Sequence, residues 1–65
     1  MKILFNGEGH EVQGETLSTV LSELGFAGAL VATAINGTFV PKVARDLTLL
    51  KSGDAIEVVA PLQGG

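Results

Sequence analysis

Thr16-Leu17-Ser18-Thr19-Val20-Leu21-Ser22-Glu23-Leu24-Gly25 is the stretch of this chain whose apolar residues recur with a clean helical period. Leu17, Val20, Leu21 and Leu24 fall at i, i+3, i+4 and i+7, which lines one face of an amphipathic helix. Thr16 stands where an N-cap belongs, and Gly25 where a left-handed residue ends a helix. The spacing predicts a helix over residues 17–24 with Ser18, Ser22 and Glu23 on its exposed face.

Outward from the helix, the period changes to that of strands. Met1 to Asn6 alternates, with Ile3 and Phe5 pointing one way and Lys2, Leu4 and Asn6 the other. Asn6-Gly7 supplies the positive φ that a primed hairpin turn requires, so residues 9–13 return as a second, more polar strand that Gly14 closes. On the far side, residues 26–29 form a small-residue link and Leu30 to Ile35 is a β-type run. Asn36-Gly37 turns it into Thr38-Phe39-Val40, and Pro41 stops that strand because it has no N–H for a ladder. Residues 42–50 show no clean period and read as an irregular link with one helical turn at 43–46, Leu47 and Leu50 tucking under the sheet edge. Ser52-Gly53-Asp54 is a turn, and Ala55 to Ala60 is a last strand with Ile56 and Val58 inward, Glu57 and Val59 outward. The expected fold is α+β: a mixed sheet of four to five strands packed on one helix.

Sixty-five residues make one domain. With 46% apolar residues the chain can pack a core, and with no cysteine it has neither a disulfide nor a thiolate zinc site. No run approaches the roughly 18 apolar residues of a membrane span, and the opening five residues are broken by Asn6-Gly7 too soon for a signal peptide. A cytoplasmic location is the default. The net charge of −3, with Lys2, Lys42, Arg45 and Lys51 as the cations, argues against nucleic acid and anionic lipid as partners.

Catalytic chemistry finds little to stand on. His10 is the sole histidine, so neither a Cys–His pair nor a multi-histidine metal site can form, and an ordinary edge residue is the expectation. Glu8, Glu11 and Glu15 read as a solvated face rather than an acid–base pair. Gly7 and Gly9 do not begin a dinucleotide loop, because Val12 stands where the third glycine of GxGxxG belongs; a phosphate-binding GxxxxGK[ST] does not occur. The expectation is a protein with no catalytic residues, metal or bound cofactor of its own. If ATP enters its work, a partner binds it.

The sequence ends in Ala60-Pro61-Leu62-Gln63-Gly64-Gly65. A Gly-Gly end puts no side chain beside the terminal carboxylate, and five extended residues reach roughly 15–18 Å. This predicts a domain over residues 1–60 and a flexible tail over 61–65, slim enough to enter a partner's active site; a frayed end is the competing reading. With the first and last strands as neighbours, Leu4 and Val59 share the helix-free face and Leu62 can join them, a candidate docking patch. Activating the terminal carboxylate as an acyl-adenylate would open it to a thiol, an amine or a persulfide. In a chain without cysteine, the terminal carbonyl is the one place to carry transferable sulfur covalently.

Four stretches, in this order and at this length, carry a resemblance. They are Met1-Lys2-Ile3-Leu4-Phe5-Asn6-Gly7, Ala34-Ile35-Asn36-Gly37-Thr38-Phe39-Val40-Pro41, Ser52-Gly53-Asp54-Ala55-Ile56-Glu57, and Val58-Val59-Ala60 running into the Gly-Gly end. Over its whole length the chain resembles the ThiS family, the ubiquitin-like sulfur carriers of thiamine biosynthesis. The resemblance implies a β-grasp fold. It also implies that an E1-like adenylyltransferase of the ThiF type adenylates Gly65 with ATP. A persulfide from a cysteine desulfurase or rhodanese-type protein then yields a thiocarboxylate, and thiazole synthase of the ThiG type takes the sulfur. By the same resemblance Gly65 carries the modification, Gly64 is the mobile neck, and Pro61, Leu62 and Gln63 guide entry. Three alternatives stay open: the small subunit of molybdopterin synthase, a ubiquitin-like protein modifier, and a β-grasp interaction domain whose terminus does no chemistry.

Overall fold

The two Asn-Gly pairs make the turns their sequence predicts. Asn6 and Asn36 take φ of 50° and 51°, and each joins an antiparallel pair of strands. The computed structural model describes residues 1–60, so the expected tail at 61–65 lies outside the described residues. Strands β1 (Lys2–Phe5) and β2 (Glu8–Glu11) form the first hairpin, helix α1 (Leu17–Glu23) follows, and β3 (Ala32–Ile35) and β4 (Thr38–Val40) form the second. A 3-10 helix (Lys42–Leu47) then leads to β5 (Ala55–Val59).

The five strands form one mixed sheet in the order β2-β1-β5-β3-β4. β5 lies at its centre, parallel to β1 with Leu4 opposite Ala55, and antiparallel to β3 with Ala32 opposite Val59. One sheet face packs on α1. Ile3, Ile56 and Val58 from the sheet meet Leu17, Val20 and Leu21 from the helix, with Val12, Val40 and Leu50 closing the core. Among the described residues no helix is long and apolar enough to cross a membrane.

Helix α1 begins as expected, with Thr16 as N-cap. Its hydroxyl accepts the Thr19 N–H at 3.2 Å, and Thr19 Oγ1 accepts the Thr16 N–H at 3.1 Å, a reciprocal capping box. Gly25 follows at φ 94°, and Leu24 is the C-cap rather than the last helical residue. Glu23, expected on the solvated face, also joins two parts of the fold. Its carboxylate accepts the N–H groups of Gln13 and Gly14 at 2.9–3.0 Å and so ties the loop after β2 to the helix.

Several boundaries differ from the sequence expectation. β2 stops at Glu11 because Val12 leaves the strand to enter the core, while its N–H still reaches the Met1 carbonyl at 2.8 Å. β3 starts at Ala32, not Leu30, because its partner β5 ends opposite it at Val59. Residues 42–47 are a regular 3-10 helix rather than an irregular link. Leu50 is buried as expected, at 7% exposure, but Leu47 is 84% exposed. The residue this segment sends inward is Arg45, and Leu47, at the end of the 3-10 helix, is left on the solvent side.

Candidate functional site

The strand that leads into the last five residues is gripped at both ends by the two turn asparagines. At its start, the Asn36 N–H donates to the Ala55 carbonyl at 2.8 Å and Asn36 Oδ1 accepts the Ala55 N–H at 3.0 Å. At its end, Asn6 Oδ1 accepts the Val58 N–H at 2.8 Å and Asn6 Nδ2 donates to the Val58 carbonyl at 3.1 Å. An amide side chain carries the same donor and acceptor as a peptide group, so Asn6 extends the β1–β5 ladder beyond the end of β1. β5 is thereby held up to the point where residues 61–65 begin.

Asp54, just before β5, is buried and locks the turn that feeds it. Its carboxylate accepts the Lys51 N–H at 2.8 Å and Asn36 Nδ2 at 3.0 Å. The Lys51 N–H, foremost, holds the carboxyl below its ordinary pKa, aided by the Asn36 amide and the Lys51 charge and opposed by burial.

The sheet face away from α1 carries Leu4 and Val59, two of the three residues of the candidate docking patch. Leu4 is 42% exposed and Val59 61% exposed, and strand alternation puts both on this face. Leu4 stands level with Ala55, however, so Val59 lies four residues further along, about 13 Å at ~3.3 Å per residue, with Glu57 between. The apolar neighbours of Val59 are instead on β3 and β4. Ala32, Ala34, Phe39 and Val59 line a shallow groove of about 260 Å³ together with Thr33 and Glu57. Phe39, 65% exposed, is a member of this groove that the sequence reading does not single out; alternation with inward Val40 is the signal that marks it. Pro61, Leu62, Gln63, Gly64 and Gly65 lie outside the described residues.

The remaining candidates stay apart. His10 meets Phe5 edge to face, centroids 5.9 Å apart, and its Nε2 is 3.8 Å from Glu8. Glu11 pairs with the Met1 amine at 3.2 Å. Among the described residues no cluster of three or more histidine, aspartate or glutamate side chains is disposed to hold a metal ion.

A five-stranded mixed sheet closed over one helix defines the class of small β-grasp domains. A family model described as "ThiS family" matches residues 3–65, and the chain belongs to that family. It is 36% identical over 63 residues to the sulfur carrier protein ThiS of Thermus thermophilus, covering 97% of this chain and 98% of that one. It is 41% identical over 66 residues to a thiazole synthase of Magnetococcus marinus, covering all of this chain but 20% of that protein. This chain thus spans about a fifth of that relative and nearly all of the Thermus carrier. The crystal structure of a thiamine biosynthesis protein (ThiS) from Geobacter metallireducens superposes with a TM-score of 0.85 at 33% identity, covering both chains completely. The solution structure of a thiamine biosynthesis protein from the same organism gives 0.77 at 33% identity, over all of this chain and 88% of the other. The fold is therefore the β-grasp, and the chain is a small sulfur carrier of thiamine biosynthesis.

Proposed function

We propose that this chain carries sulfur as a thiocarboxylate on Gly65 and delivers it to a thiazole synthase in the cytoplasm. The observation that carries this reading is the family match, which runs to Gly65 and includes the Gly-Gly end. An E1-like enzyme of the ThiF type binds ATP and joins the Gly65 carboxylate to AMP, releasing pyrophosphate. The terminal sulfur of a persulfide on a desulfurase or rhodanese-type protein attacks the acyl carbon, and the acyl–AMP bond breaks. A thiol then reduces the resulting acyl disulfide, leaving the thiocarboxylate on Gly65 and a disulfide on the donor. With no cysteine in the chain, no other residue competes for the sulfur.

Thiazole synthase is favoured as the acceptor because a protein of that name contains a segment 41% identical to this entire chain. In this reading Gly64 is the narrow neck and Pro61 to Gln63 the guide. Leu4, Val59 and Leu62, together with Phe39, form the docking surface. Val59 and Phe39 serve best, since they border a continuous apolar groove on the strand that leads into the tail. The adenylation step is tested by incubating the chain with its cognate E1-like enzyme and ATP and measuring pyrophosphate release. Release that disappears when Gly65 is deleted supports the reading; release independent of Gly65, or none, contradicts it.

A further inference from the structure

Arg45 is the one buried cation among the described residues, at 9% exposure, and its partners there are neutral. Its Nε donates to Thr33 Oγ1 at 3.1 Å and its Nη2 to the Val31 carbonyl at 2.6 Å. A guanidinium has five N–H donors, so these two bonds leave three without a protein partner among the described residues. Since no buried side-chain nitrogen or oxygen there lacks a partner, the unbonded Nη1 opens to solvent. No carboxylate among the described residues forms an ion pair with it. Donors of a cation that remain open to solvent are available to an anion, and a charge-assisted bond is the strongest hydrogen bond they can make.

Arg45 also lines a cleft of about 210 Å³ between α1 and the 3-10 helix, bounded by Ser18, Leu21, the 26–29 link, Lys42 and Asp46. Lys42 and Arg45 are three residues apart on the 3-10 helix and so lie on one side of it. Against the single carboxylate of Asp46, they give the cleft a formal charge of +1 in a chain whose net charge is −3. The volume suits a single oxyanion group and falls short of the roughly 300–1,000 Å³ of sites for drug-sized ligands.

The cleft's place in the fold adds meaning. Val31, which anchors Arg45, immediately precedes Ala32, the partner of Val59 at the end of β5. The cleft therefore adjoins the end of the sheet from which the chain continues towards residue 61.

We propose that this cleft is an oxyanion site that takes one carboxylate or phosphate group on the unused donors of Arg45, with Lys42 beside it. The proposal does not depend on the sulfur-carrier chemistry. The group could belong to an acidic side chain of a protein engaging the tail or to a free phosphate, and the two call for the same donors.

The test is an NMR titration of the full 65-residue chain with acetate and, separately, phosphate, at constant ionic strength set with chloride. The expected result is a saturable shift of the Arg45 Nε–H and of the amides of Ala27, Gly28 and Ala29, with dissociation constants in the millimolar range. Arg45→Gln should weaken binding about tenfold or more, and Lys42→Ala by a smaller factor. Tighter binding of acetate assigns the site to a carboxylate, and tighter binding of phosphate to a phosphate. If Arg45→Gln does not fold, the wild-type Nε–H signal and the exposed Lys42→Ala variant decide. Shifts that do not saturate, or that Lys42→Ala leaves unchanged, overturn the proposal.

Discussion

The side-chain amide of Asn6 forms a two-way hydrogen bond with the backbone of Val58, 52 residues away in sequence, at 2.8 and 3.1 Å. One residue thus serves both as the left-handed corner of the first turn and as the last rung of the β1–β5 ladder. Asn6→Gly keeps the corner's φ but removes the rung, leaving two backbone groups of β5 without their partner. We expect a loss of about 1–3 kcal/mol and faster amide exchange at Val58, with the 9–12 amides of the hairpin little changed. Urea unfolding with residue-resolved hydrogen exchange checks it; an unchanged Val58 rate would contradict it.

Asp54 makes stability fall in acid. Its folded-state pKa lies below its ordinary value of 3.8, so its contribution is complete well above that value. As pH drops below it and through the lowered folded pKa, the carboxylate is protonated and the contribution is lost. Thermal melts of the wild type and Asp54→Asn from pH 7 downward should converge at low pH. Curves that stay parallel would sink the assignment.

Leu17 is fully buried where α1 meets the sheet, and its N–H reaches the Thr48 carbonyl at 2.9 Å. Leu17→Ala should cost about 2–5 kcal/mol. A 65-residue domain has roughly 3–10 kcal/mol in total, so this variant is expected to be partly or wholly unfolded at 37 °C. Leu47→Gln, at an exposed site, should stay within about 0.5 kcal/mol of wild type. Circular-dichroism melts of the two variants give a direct comparison.

For docking, Val59→Glu and Phe39→Glu put a charge into the apolar groove next to Glu57. Each should weaken binding to the cognate thiazole synthase about tenfold or more, ~1.4 kcal/mol, while the melting temperature changes little. Leu4→Glu, about 13 Å from Val59 on the same face, should have a smaller effect. Isothermal titration calorimetry separates these outcomes, and equal losses at all three positions would argue against a groove centred on Val59.

The helix and both hairpins were legible because they rest on local signals: a 3.6-residue apolar period with a Thr cap, and Asn-Gly turns. That the first and last strands are neighbours was supposed from compactness, and the observed β1–β5 pairing agrees with it. The central place of β5, between β1 and β3, was not anticipated. What escaped the sequence was non-local. Nothing near Asn6 or Asn36 in sequence reveals that their side chains grip opposite ends of β5. The 3-10 helix lacks a 3.6 period by its geometry, so Arg45 rather than Leu47 turned inward unannounced. Phe39 was visible in principle, since strand alternation places it opposite to Val40, but a three-residue strand gives a weak signal.

The central claim concerns Gly65, and the intact mass of the protein tests it most directly. The chain should be isolated from cells that also supply its E1-like enzyme and a sulfur source. The account predicts a gain equal to one sulfur replacing one oxygen, lost when Gly65 is deleted. An unchanged mass under those conditions, or the same gain without Gly65, would contradict it.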